Sequence, residues 1–340
     1  YNYANPVLPD YFQIDSIREM DNTPADNQIT DWGASLGRVL FYDVDLSANR
    51  TVSCASCHQA EHGFSDPSRL SEGFEGLKTS RNSMGLANAR YYTNGAFFWD
   101  ERAASLEEQV LMPIQDHIEM GLTLDEMVAR LNATDYYPYL FEKAFGEPEI
   151  TQTKAAKALA QFTRAMVSYQ SPYDIGRAQV DDHMQPFPNF TEMENEGKDV
   201  FFNTLRANCG SCHLPDIFSG KEAFNIGLQM EYEDNGMGVV SGDPSQNGVF
   251  KVPSLKNIAL TAPFMHDGRF DSLEQVVDFY NEEVVEHPNL GDPLRFWLPG
   301  GPPRPLFLSE SEKEALVAFM KTLTDSVMIQ DPKWSDPFLP

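Results

Sequence analysis

Two copies of one short cysteine pattern constrain this chain more than any other feature of its sequence. The 340 residues contain four cysteines, and all four belong to this pattern. The two copies read Cys54-Ala-Ser-Cys57-His58 and Cys209-Gly-Ser-Cys212-His213. C-x-x-C-H is the attachment signature of c-type haem: each thiol forms a thioether to one vinyl group of a porphyrin, and the histidine offers its imidazole to the iron. The doubled pattern predicts two covalently bound haem c groups.

Three other interpretations fit part of the pattern: a thioredoxin-like redox pair, a zinc site and structural disulfides. A redox pair requires no histidine immediately after it, and it seldom occurs twice in a chain without other cysteines. Zinc accepts two C-x-x-C pairs, but here the pairs lie about 150 residues apart and each carries the same trailing histidine. The doubled signature therefore favours haem attachment.

The composition limits the class of protein. Hydrophobic residues make up 41% of the chain, enough to bury a core. The sequence contains no run of about 18 apolar residues, the length needed to span a bilayer. Lys and Arg number 25 against 51 Asp and Glu, a net charge of −26 that disfavours nucleic acid and anionic lipid as partners. This acidity fits either solubility or the docking of a small basic electron-transfer protein, and both interpretations stay open.

The N-terminus and the haem motifs together predict the compartment. The chain begins YNYANPVLPDYF, without a charged and then apolar leader, which is typical of a mature N-terminus after removal of a signal segment. In bacteria, haem is attached to such motifs on the oxidising side of the membrane. We therefore expect a periplasmic, exported protein.

Local signals predict a mainly α fold. A short amphipathic helix precedes each haem motif, at 33–41 and at 196–202, which indicates an internal repeat. A helical period also runs from 153 to 169. Five segments read as capping boxes, beginning at Ser105, Thr123, Thr191, Ser272 and Ser309. Strand patterns are scarce.

The same signals predict two cytochrome c-like haem domains in tandem. We place their boundary after the long helix and before a Pro-rich run, which gives an N-terminal domain over 1–170 and a C-terminal domain over 171–340. Gly- and Pro-rich tracts at 235–248 and 288–305 predict long surface loops.

Two haems allow an electron relay, peroxide chemistry, or oxidation of a protein or organic substrate. A relay needs two strong axial ligands on each iron, whereas peroxide chemistry needs one accessible iron and nearby groups that move protons. Five histidines remain as candidate second ligands: His62, His117, His183, His266 and His287. Their number alone does not distinguish the three functions.

A series of segments from Gly33 to Leu323 points to one family. They are Leu36-Gly-Arg-Val-Leu-Phe-Tyr-Asp43, the first haem motif, Arg81-Asn82, Phe98-Trp-Asp-Glu-Arg102, Gln109, Pro113, Glu119-Met120, the second haem motif, Val252-Pro-Ser-Leu-Lys-Asn257 and Leu260-Thr-Ala-Pro-Phe-Met-His-Asp-Gly268. In order and nearly in spacing, the chain resembles the bacterial di-haem cytochrome c peroxidases and the related methylamine-utilisation enzyme MauG.

The resemblance implies roles for matched positions. The N-terminal haem would react with peroxide and the C-terminal haem would receive electrons, with His58 and His213 as their proximal ligands. Glu119 would move a proton between the two peroxide oxygens. Two further distal-pocket residues are implied, Gln109 to orient peroxide and Pro113 to shape the pocket.

Trp99 matches the aromatic residue that lies between the two haems of the family. Taken alone, Trp99 would be a core aromatic and Glu119 an exposed helix carboxylate. The joint spacing, with ten residues from Trp99 to Gln109 and ten more to Glu119, favours the functional interpretation.

A calcium ion between the domains is also implied by the resemblance. The matching donors are the side chain of Asn82 and the backbone carbonyls of Thr261 and Pro263, and oxygen-only ligation suits calcium. His266 matches a family position too, and we interpret it as structural or supporting.

The first departure from many family peroxidases concerns the N-terminal iron. Those proteins carry a histidine in the loop before the Arg-Asn pair, which ligates this iron in the oxidised state. Here residues 71–81 contain no histidine, and His62 is only four residues past His58, too close to reach the opposite face. We therefore expect an N-terminal haem that is five-coordinate or water-bound.

The second departure concerns the C-terminal iron. Family peroxidases place a Met twelve residues after the Gly of the His-x-Gly segment, and counting from Gly268 gives Tyr280. MauG-like members have Tyr there as the axial ligand, and a phenolate stabilises ferric iron and lowers its potential. The alternative is that Tyr280 packs in its helix and a methionine ligates instead, the candidates being Met230, Met237 and Met265.

The sequence therefore predicts a periplasmic peroxidase that reduces hydrogen peroxide with electrons from a small redox protein, a cytochrome c or a cupredoxin. The alternative is a MauG-like oxidase that uses a high-valent state shared by both haems. MauG oxidises its partner through a Trp just before the second haem motif, and Ala207 occupies that position here. A third class is a pure electron-transfer cytochrome. The resemblance also implies a homodimer.

Overall fold

Helices joined by long loops make up the computed structural model, which describes residues 1–296 and 300–339. The helices are α1 (Asp15–Arg18), α2 (Asp31–Tyr42), α3 (Cys54–Cys57), α4 (Leu106–Gln109), α5 (Met112–Gln115), α6 (Leu124–Asn132), α7 (Tyr137–Phe145), α8 (Gln152–Ala165), α9 (Pro172–Arg177), α10 (Glu192–Phe202), α11 (Met237–Ser241), α12 (Leu273–Asp278), α13 (Glu310–Lys321) and α14 (Ser326–Gln330). The predicted mainly α fold is confirmed.

Strands contribute little. In the described residues, β1 (Ala223–Phe224) pairs antiparallel with β2 (Phe250–Lys251). A π-helical turn, Phe279–Glu283, continues α12. Short 3₁₀ turns occupy Asp10–Gln13, Val44–Leu46, Ala60–His62, Ala89–Tyr91, Cys209–Ser211, Pro244–Gln246, Ile258–Leu260, Asp292–Leu294 and Pro332–Trp334. No helix in the described residues is both long enough and apolar enough to cross a membrane.

The predicted helix starts are confirmed. Thr123, Thr191 and Ser309 form complete capping boxes at α6, α10 and α13. Ser105 and Ser272 cap α4 and α12 by accepting one backbone N–H each. A side-chain oxygen at this position satisfies an N–H group that has no partner within the helix, which is why these residues set where each helix begins.

The same helix crossing occurs in both halves of the chain. α2 packs on α8, and α10 packs on α13. A Cβ atom at Gly37 would lie 2.0 Å from the carbonyl oxygen of Ala158, and one at Gly197 would lie 1.8 Å from that of Ala315. Only glycine permits backbones to approach this closely. The internal repeat that the sequence indicates therefore includes the helix that precedes each haem motif.

The repeat continues after each long helix. Asn88 and Asn257 both adopt left-handed backbone conformations, with φ of 64° and 63°. The Oδ1 atom of Asn88 accepts the N–H of Ser168 at 2.8 Å, and that of Asn257 accepts the N–H of Asp325 at 2.7 Å. Each asparagine thus ties down the chain where it leaves α8 or α13.

The helix predicted over 153–169 ends four residues early, at Ala165. Tertiary contacts explain the difference. The N–H groups of Tyr169 and Gln170 both donate to Asp325 Oδ2 at 3.0 Å, in place of the helical carbonyls. This side-chain acceptor comes from a distant part of the chain, and it satisfies the backbone N–H groups of a segment that is no longer helical.

Segments near each end of the chain contact the other half. Met328 and Trp334 join the buried cluster that contains Leu36, Phe41 and Phe162, near the first haem motif. Tyr11 joins instead a cluster with Ile217, and its hydroxyl donates to Asp174 at 2.7 Å. The halves are therefore interlocked through their terminal segments.

The Gly- and Pro-rich tracts contain little regular structure. Within 235–248 the structure has α11 and one 3₁₀ turn, and the rest is loop. Within 288–305 it has the turn Asp292–Leu294, while residues 297–299 of this predicted loop lie outside the described residues.

Candidate active site

The first haem motif presents a histidine with a fixed tautomer. α3 carries Cys54 and Cys57, and His58 follows it directly. His58 Nδ1 lies 2.9 Å from the carbonyl oxygen of Phe64. Because a carbonyl oxygen only accepts, Nδ1 carries the proton and Nε2 keeps a free lone pair. A metal-binding histidine has this arrangement, with its other nitrogen donating to a backbone carbonyl.

The cysteine thiols of both motifs are partly buried, and their surroundings favour the protonated form. Burial raises the pKa of Cys54 and Cys209 to about 12, and it raises the pKa of Cys57 to about 11. The pKa of Cys212 is also raised, again by burial. A reactive redox pair needs a lowered thiol pKa, so the thioredoxin-like interpretation is not supported.

The four thiols are unpaired in the structure. The two motifs also do not converge on one metal position, since no cluster of three or more His, Cys, Asp or Glu ligands forms within residues 1–296 and 300–339. The two motifs therefore form two separate sites, each with a pair of thiols and one imidazole. This donor set fits covalent c-type haem.

Glu119 lies in a pocket beside the first motif. The pocket has an empty volume of about 720 Å³ and is lined by Phe98, Arg102, Met112, Pro113, Gln115, Asp116, His117 and Glu119. The charge of Glu119 acts on both Cys54 and Cys57, which places the carboxyl close to the first motif. Gln115 and His117 are exposed, so the pocket opens to solvent.

The carboxyl of Glu119 has a pKa of about 7. Burial is the main cause, because it disfavours the charged form, and the neighbouring carboxylate of Asp116 raises the pKa further. The guanidinium of Arg102 acts in the opposite direction. A group with this pKa can both accept and release a proton near neutral pH.

The loop over 71–81 holds Glu119 in place. It folds as a small hairpin in which Glu72 pairs with Lys78. The N–H of Phe74 donates to the carbonyl oxygen of Glu119 at 3.0 Å, and a Cβ atom at Gly73 would lie 1.6 Å from the carbonyl oxygen of Ile118. The loop that lacks the family histidine therefore supports the backbone of Glu119.

The second haem motif opens on a second cavity, which is lined mainly by apolar side chains. Cys209, Cys212, His213, Tyr280 and Ala207 all line it. His213 Nδ1 is buried and has no hydrogen-bond partner of good geometry among the described residues, and burial lowers the pKa of this histidine to about 4. A neutral imidazole that lines this cavity together with two thiols fits a porphyrin ligand.

Trp99 lies in the wall of the second cavity, and its neighbour Phe98 lines the Glu119 pocket. The indole Nε1 of Trp99 donates to the carbonyl oxygen of Asn82 at 2.8 Å. The Trp99 carbonyl oxygen accepts the N–H of Lys251 at 2.8 Å. These bonds fix the Phe98-Trp99 pair between the two sites.

Asn82, Thr261 and Pro263 all line the same second cavity. The Nδ2 atom of Asn82 donates to the carbonyl oxygen of Arg69 at 3.1 Å, which leaves Oδ1 on the other side of the amide. An amide oxygen and nearby carbonyls are the oxygen donors that calcium accepts.

Gln109 ends α4 and does not belong to the lining of the Glu119 pocket, whereas Pro113 does. Of the three methionines considered as ligands, Met265 lines the second cavity, Met237 begins α11 and Met230 is 52% exposed. His266 is buried and stacks on Phe250 with ring centroids 3.7 Å apart, as expected for a structural residue.

Sequence reasoning passed over several residues of the two sites. Arg102 belongs to a segment that carried the resemblance, but its place in the Glu119 pocket was not predicted. Asp116 had no signal beyond its closeness to Glu119, and His117 was considered only as a candidate second ligand to a haem iron. Phe64, the partner of His58, has no polar side chain, since its contribution comes from a backbone carbonyl.

The fold and the two motifs define a helical oxidoreductase with two haem groups, and comparison with known proteins agrees. The family model described as "Di-haem cytochrome c peroxidase" matches residues 32–182. The MauG protein of Methylophilus methylotrophus is 31% identical over 321 residues, covering 94% of this chain and 91% of the relative. The cytochrome c551 peroxidase of Nitrosomonas europaea is 30% identical over 312 residues, covering 90% and 83%.

The crystal structure of a MauG-like protein associated with microbial copper homeostasis superimposes with a TM-score of 0.81. It is 34% identical to this chain, and the match covers 100% of both chains. This chain belongs to the family of di-haem cytochrome c peroxidases and MauG proteins.

Proposed function

We propose that this protein reduces hydrogen peroxide to water with electrons from a small redox protein, a cytochrome c or a cupredoxin. The observation that carries the proposal is Glu119. Its carboxyl lies beside the first haem motif, in a pocket open to solvent, and has a pKa of about 7. Peroxide chemistry needs such a group next to an accessible metal, whereas an electron relay does not.

Haem iron held by His58 and His213 would supply the redox chemistry, taking two electrons from the donor protein and delivering them to peroxide. The Glu119 carboxylate accepts the proton of one peroxide oxygen and returns it to the other oxygen as the O–O bond breaks. The departing oxygen thus becomes the first water without a proton from solvent. The remaining oxygen takes two electrons from the donor and two protons from solvent to become the second water, so that one peroxide, two electrons and two protons give two waters. Phe98, Met112 and Pro113 form the apolar part of the pocket wall.

Several finer assignments belong to this proposal. The repeated helix crossing supports two cytochrome c-like haem domains in tandem, over 1–170 and 171–340. Trp99 supports electron passage, because it lies between the two sites. A calcium ion held by Asn82, Thr261 and Pro263 would join segments that are distant in sequence. The haem motifs support a periplasmic location.

A MauG-like oxidase is a second candidate function, favoured by one observation. Tyr280, and not a methionine at the same position, lines the second cavity with His213. A phenolate there would stabilise ferric iron and allow stronger oxidation of an organic or protein substrate. Ala207 lines the same cavity, so an electron route through an aromatic residue at that position is absent.

The test is peroxide consumption by the protein carrying both haems, with a reduced small redox protein as the donor. We expect Glu119→Gln to lower the rate by about 10²–10⁴-fold, since it removes the general base. Because the ionised carboxylate is the active form, the wild-type rate should rise with pH through about 7, and the variant should lose this rise.

The matched control is Glu142→Gln, which changes an exposed carboxyl on α7. It should keep the wild-type rate and pH profile. A wild-type protein that binds both haems but does not consume peroxide with any small donor would exclude the peroxidase function and leave the oxidase as the remaining candidate.

A further inference from the structure

A continuous chain of ion pairs connects the Glu119 pocket with the second half of the protein. Arg102 Nη1 donates to Asp100 Oδ1 at 3.0 Å, and Asp100 Oδ2 lies 2.6 Å from Arg81 Nη1. Arg81 also donates from Nε and Nη2 to both oxygens of Asp234, at 2.6 and 2.8 Å. Asp100 is buried and contacts the guanidinium groups of both Arg81 and Arg102. Arg81 in turn contacts the carboxylates of both Asp100 and Asp234. Arg102 is therefore anchored from behind.

The front of Arg102 faces the pocket. Its guanidinium carbon lies 3.5 Å from the ring centroid of Phe98, and its side chain is 33% exposed. Within the described residues, Nε and Nη2 have no hydrogen-bond partner. An arginine side chain has five N–H donors. Here only Nη1 is engaged, so the N–H groups of Nε and Nη2 are free to bind an oxygen atom in the pocket.

Arg102 and Glu119 line one pocket without pairing. No ion pair within 4.0 Å joins them in the described part of the chain, although the charge of Arg102 acts on the Glu119 carboxyl. The other charged or titratable groups facing Glu119 are Asp116, His117 and the thiols of the first motif. The pocket thus holds a carboxyl and a cation with space for a small polar molecule between them.

We propose that Arg102 is a further catalytic residue of the peroxide pocket, and that Asp100 and Arg81 position it. Its free N–H groups bind the peroxide oxygen that departs with the bonding electron pair when the O–O bond breaks. That oxygen then takes the proton that Glu119 removed from its partner and leaves as water, while the two electrons still come from the donor protein. This inference rests on the proposed peroxidase function.

The physical reason is stabilisation of developing charge. A fixed cation aimed at an oxygen that becomes negative stabilises the transition state more than the ground state, and losing one such donor typically costs about 10²–10³-fold in rate. Arginine suits this role because it stays charged and presents a rigid planar fork. The ion pairs to Asp100 keep that fork from turning toward solvent or pairing with Glu119.

The experiment measures the second-order rate of peroxide with the protein carrying both haems, by stopped flow. We expect Arg102→Gln to lower this rate by at least tenfold and Arg102→Lys to recover part of it, because lysine keeps the charge and loses the fork. Arg50→Gln is the matched control, since Arg50 forms a surface pair with Asp45 and is 62% exposed. Haem content and the thermal midpoint establish that each variant is folded.

A second measurement is independent of turnover. The infrared band of the protonated Glu119 carboxyl, identified by its loss in Glu119→Gln, is followed during a pH titration. Removing the nearby cation in Arg102→Gln should move the midpoint of this titration upward. The midpoint should not change in Arg50→Gln. A merely structural role of Arg102 would not produce this upward shift.

The outcomes separate the two proposals. If Glu119→Gln loses the peroxide reaction but Arg102→Gln keeps both the wild-type rate and the wild-type titration midpoint, the peroxidase function stands and the role of Arg102 is wrong. If the wild-type protein does not react with peroxide, both are wrong. The inference is supported only if Arg102→Gln shows both a loss of rate and an upward shift of the titration midpoint.

Discussion

Tyr280 is the single residue that most distinguishes the second site from the first. It lies in the π-helical turn Phe279–Glu283, which directly follows the regular helix that began at Leu273. Such turns are rare and often occur at functional positions, because they redirect a side chain out of the helical pattern. Burial raises the pKa of Tyr280 well above its usual range, and the thiols of Cys212 and Cys209 raise it further. Tyr280 lines the second cavity together with His213.

Replacing Tyr280 with Phe removes one oxygen atom and keeps the ring. If Tyr280 is the axial ligand, the C-terminal haem should lose its six-coordinate signal in the oxidised protein, and its reduction potential should rise because an anionic donor is gone. Visible and magnetic resonance spectra, with a redox titration, check this outcome.

Two further variants make this test specific. Tyr232→Phe is the control, because Tyr232 lies near Tyr280 but is held by the N–H of Leu228 at 3.1 Å. Met265→Leu tests the remaining alternative ligand in the cavity. Unchanged spectra in Tyr280→Phe, with loss of the six-coordinate signal in Met265→Leu, would show that the methionine is the ligand.

At the level of elements, the helix before each haem motif crosses a partner helix at close distance. Gly37 on α2 and Gly197 on α10 occupy the closest points of these crossings. Phe162 and Phe319, on the partner helices, pack directly beside them. The sequence alone shows a glycine in each amphipathic helix, but not which backbone it touches.

Substituting Gly37 with Ala should destabilise the protein by about 1–3 kcal/mol, since the added methyl group overlaps the carbonyl of Ala158 and forces α2 and α8 apart. Denaturant unfolding measures this change. Gly197→Ala should behave in the same way in the other half.

Ser35→Ala on the same helix is the control for this substitution. It adds no volume at the crossing and places a better helix former in α2, so it should leave the stability unchanged or slightly higher. Equal stability of Gly37→Ala and Ser35→Ala would contradict the proposed close contact.

The elements also show where sequence signals work well. Ser and Thr at helix N-termini predicted five helix starts correctly, because capping is a local interaction between neighbouring residues. The end of α8 was predicted four residues too late. The backbone N–H of Tyr169 there donates to the side chain of Asp325, which is more than 150 residues away, so no local pattern could reveal this contact.

For the whole molecule, the net charge of −26 predicts how donors approach. A field of this size accelerates encounter with a basic partner, and salt screens it, since the screening length falls from about 30 Å at 0.01 M to about 10 Å at 0.1 M. We expect the rate of electron transfer from a basic cytochrome c to fall steeply with ionic strength.

The reaction with peroxide itself provides the control for this prediction. Hydrogen peroxide is uncharged, so its reaction with the protein should be nearly independent of salt. A donor rate that also does not change with ionic strength would favour the interpretation in which the acidic surface serves solubility alone.

The interlocking of the two halves is also a property of the whole molecule. Tyr3 and Trp334, from opposite ends of the chain, pack with ring centroids 5.5 Å apart in the core near the first motif. Arg81 and Asp234 join the halves at a second place, through the ion pairs that lead to Arg102. A division of the sequence by helix order cannot detect such contacts.

The sequence by itself predicted the haem attachment residues and determined the helical class and the helix starts, because each depends on residues close together in the chain. Its family resemblance also pointed to Glu119 and Tyr280. Only the tertiary structure decided that Glu119 shares its pocket with Arg102 and that Phe64 fixes the tautomer of His58. It also decided that Tyr280 turns into the second cavity. These features depend on burial and on charges brought together from distant segments, and a linear pattern contains neither.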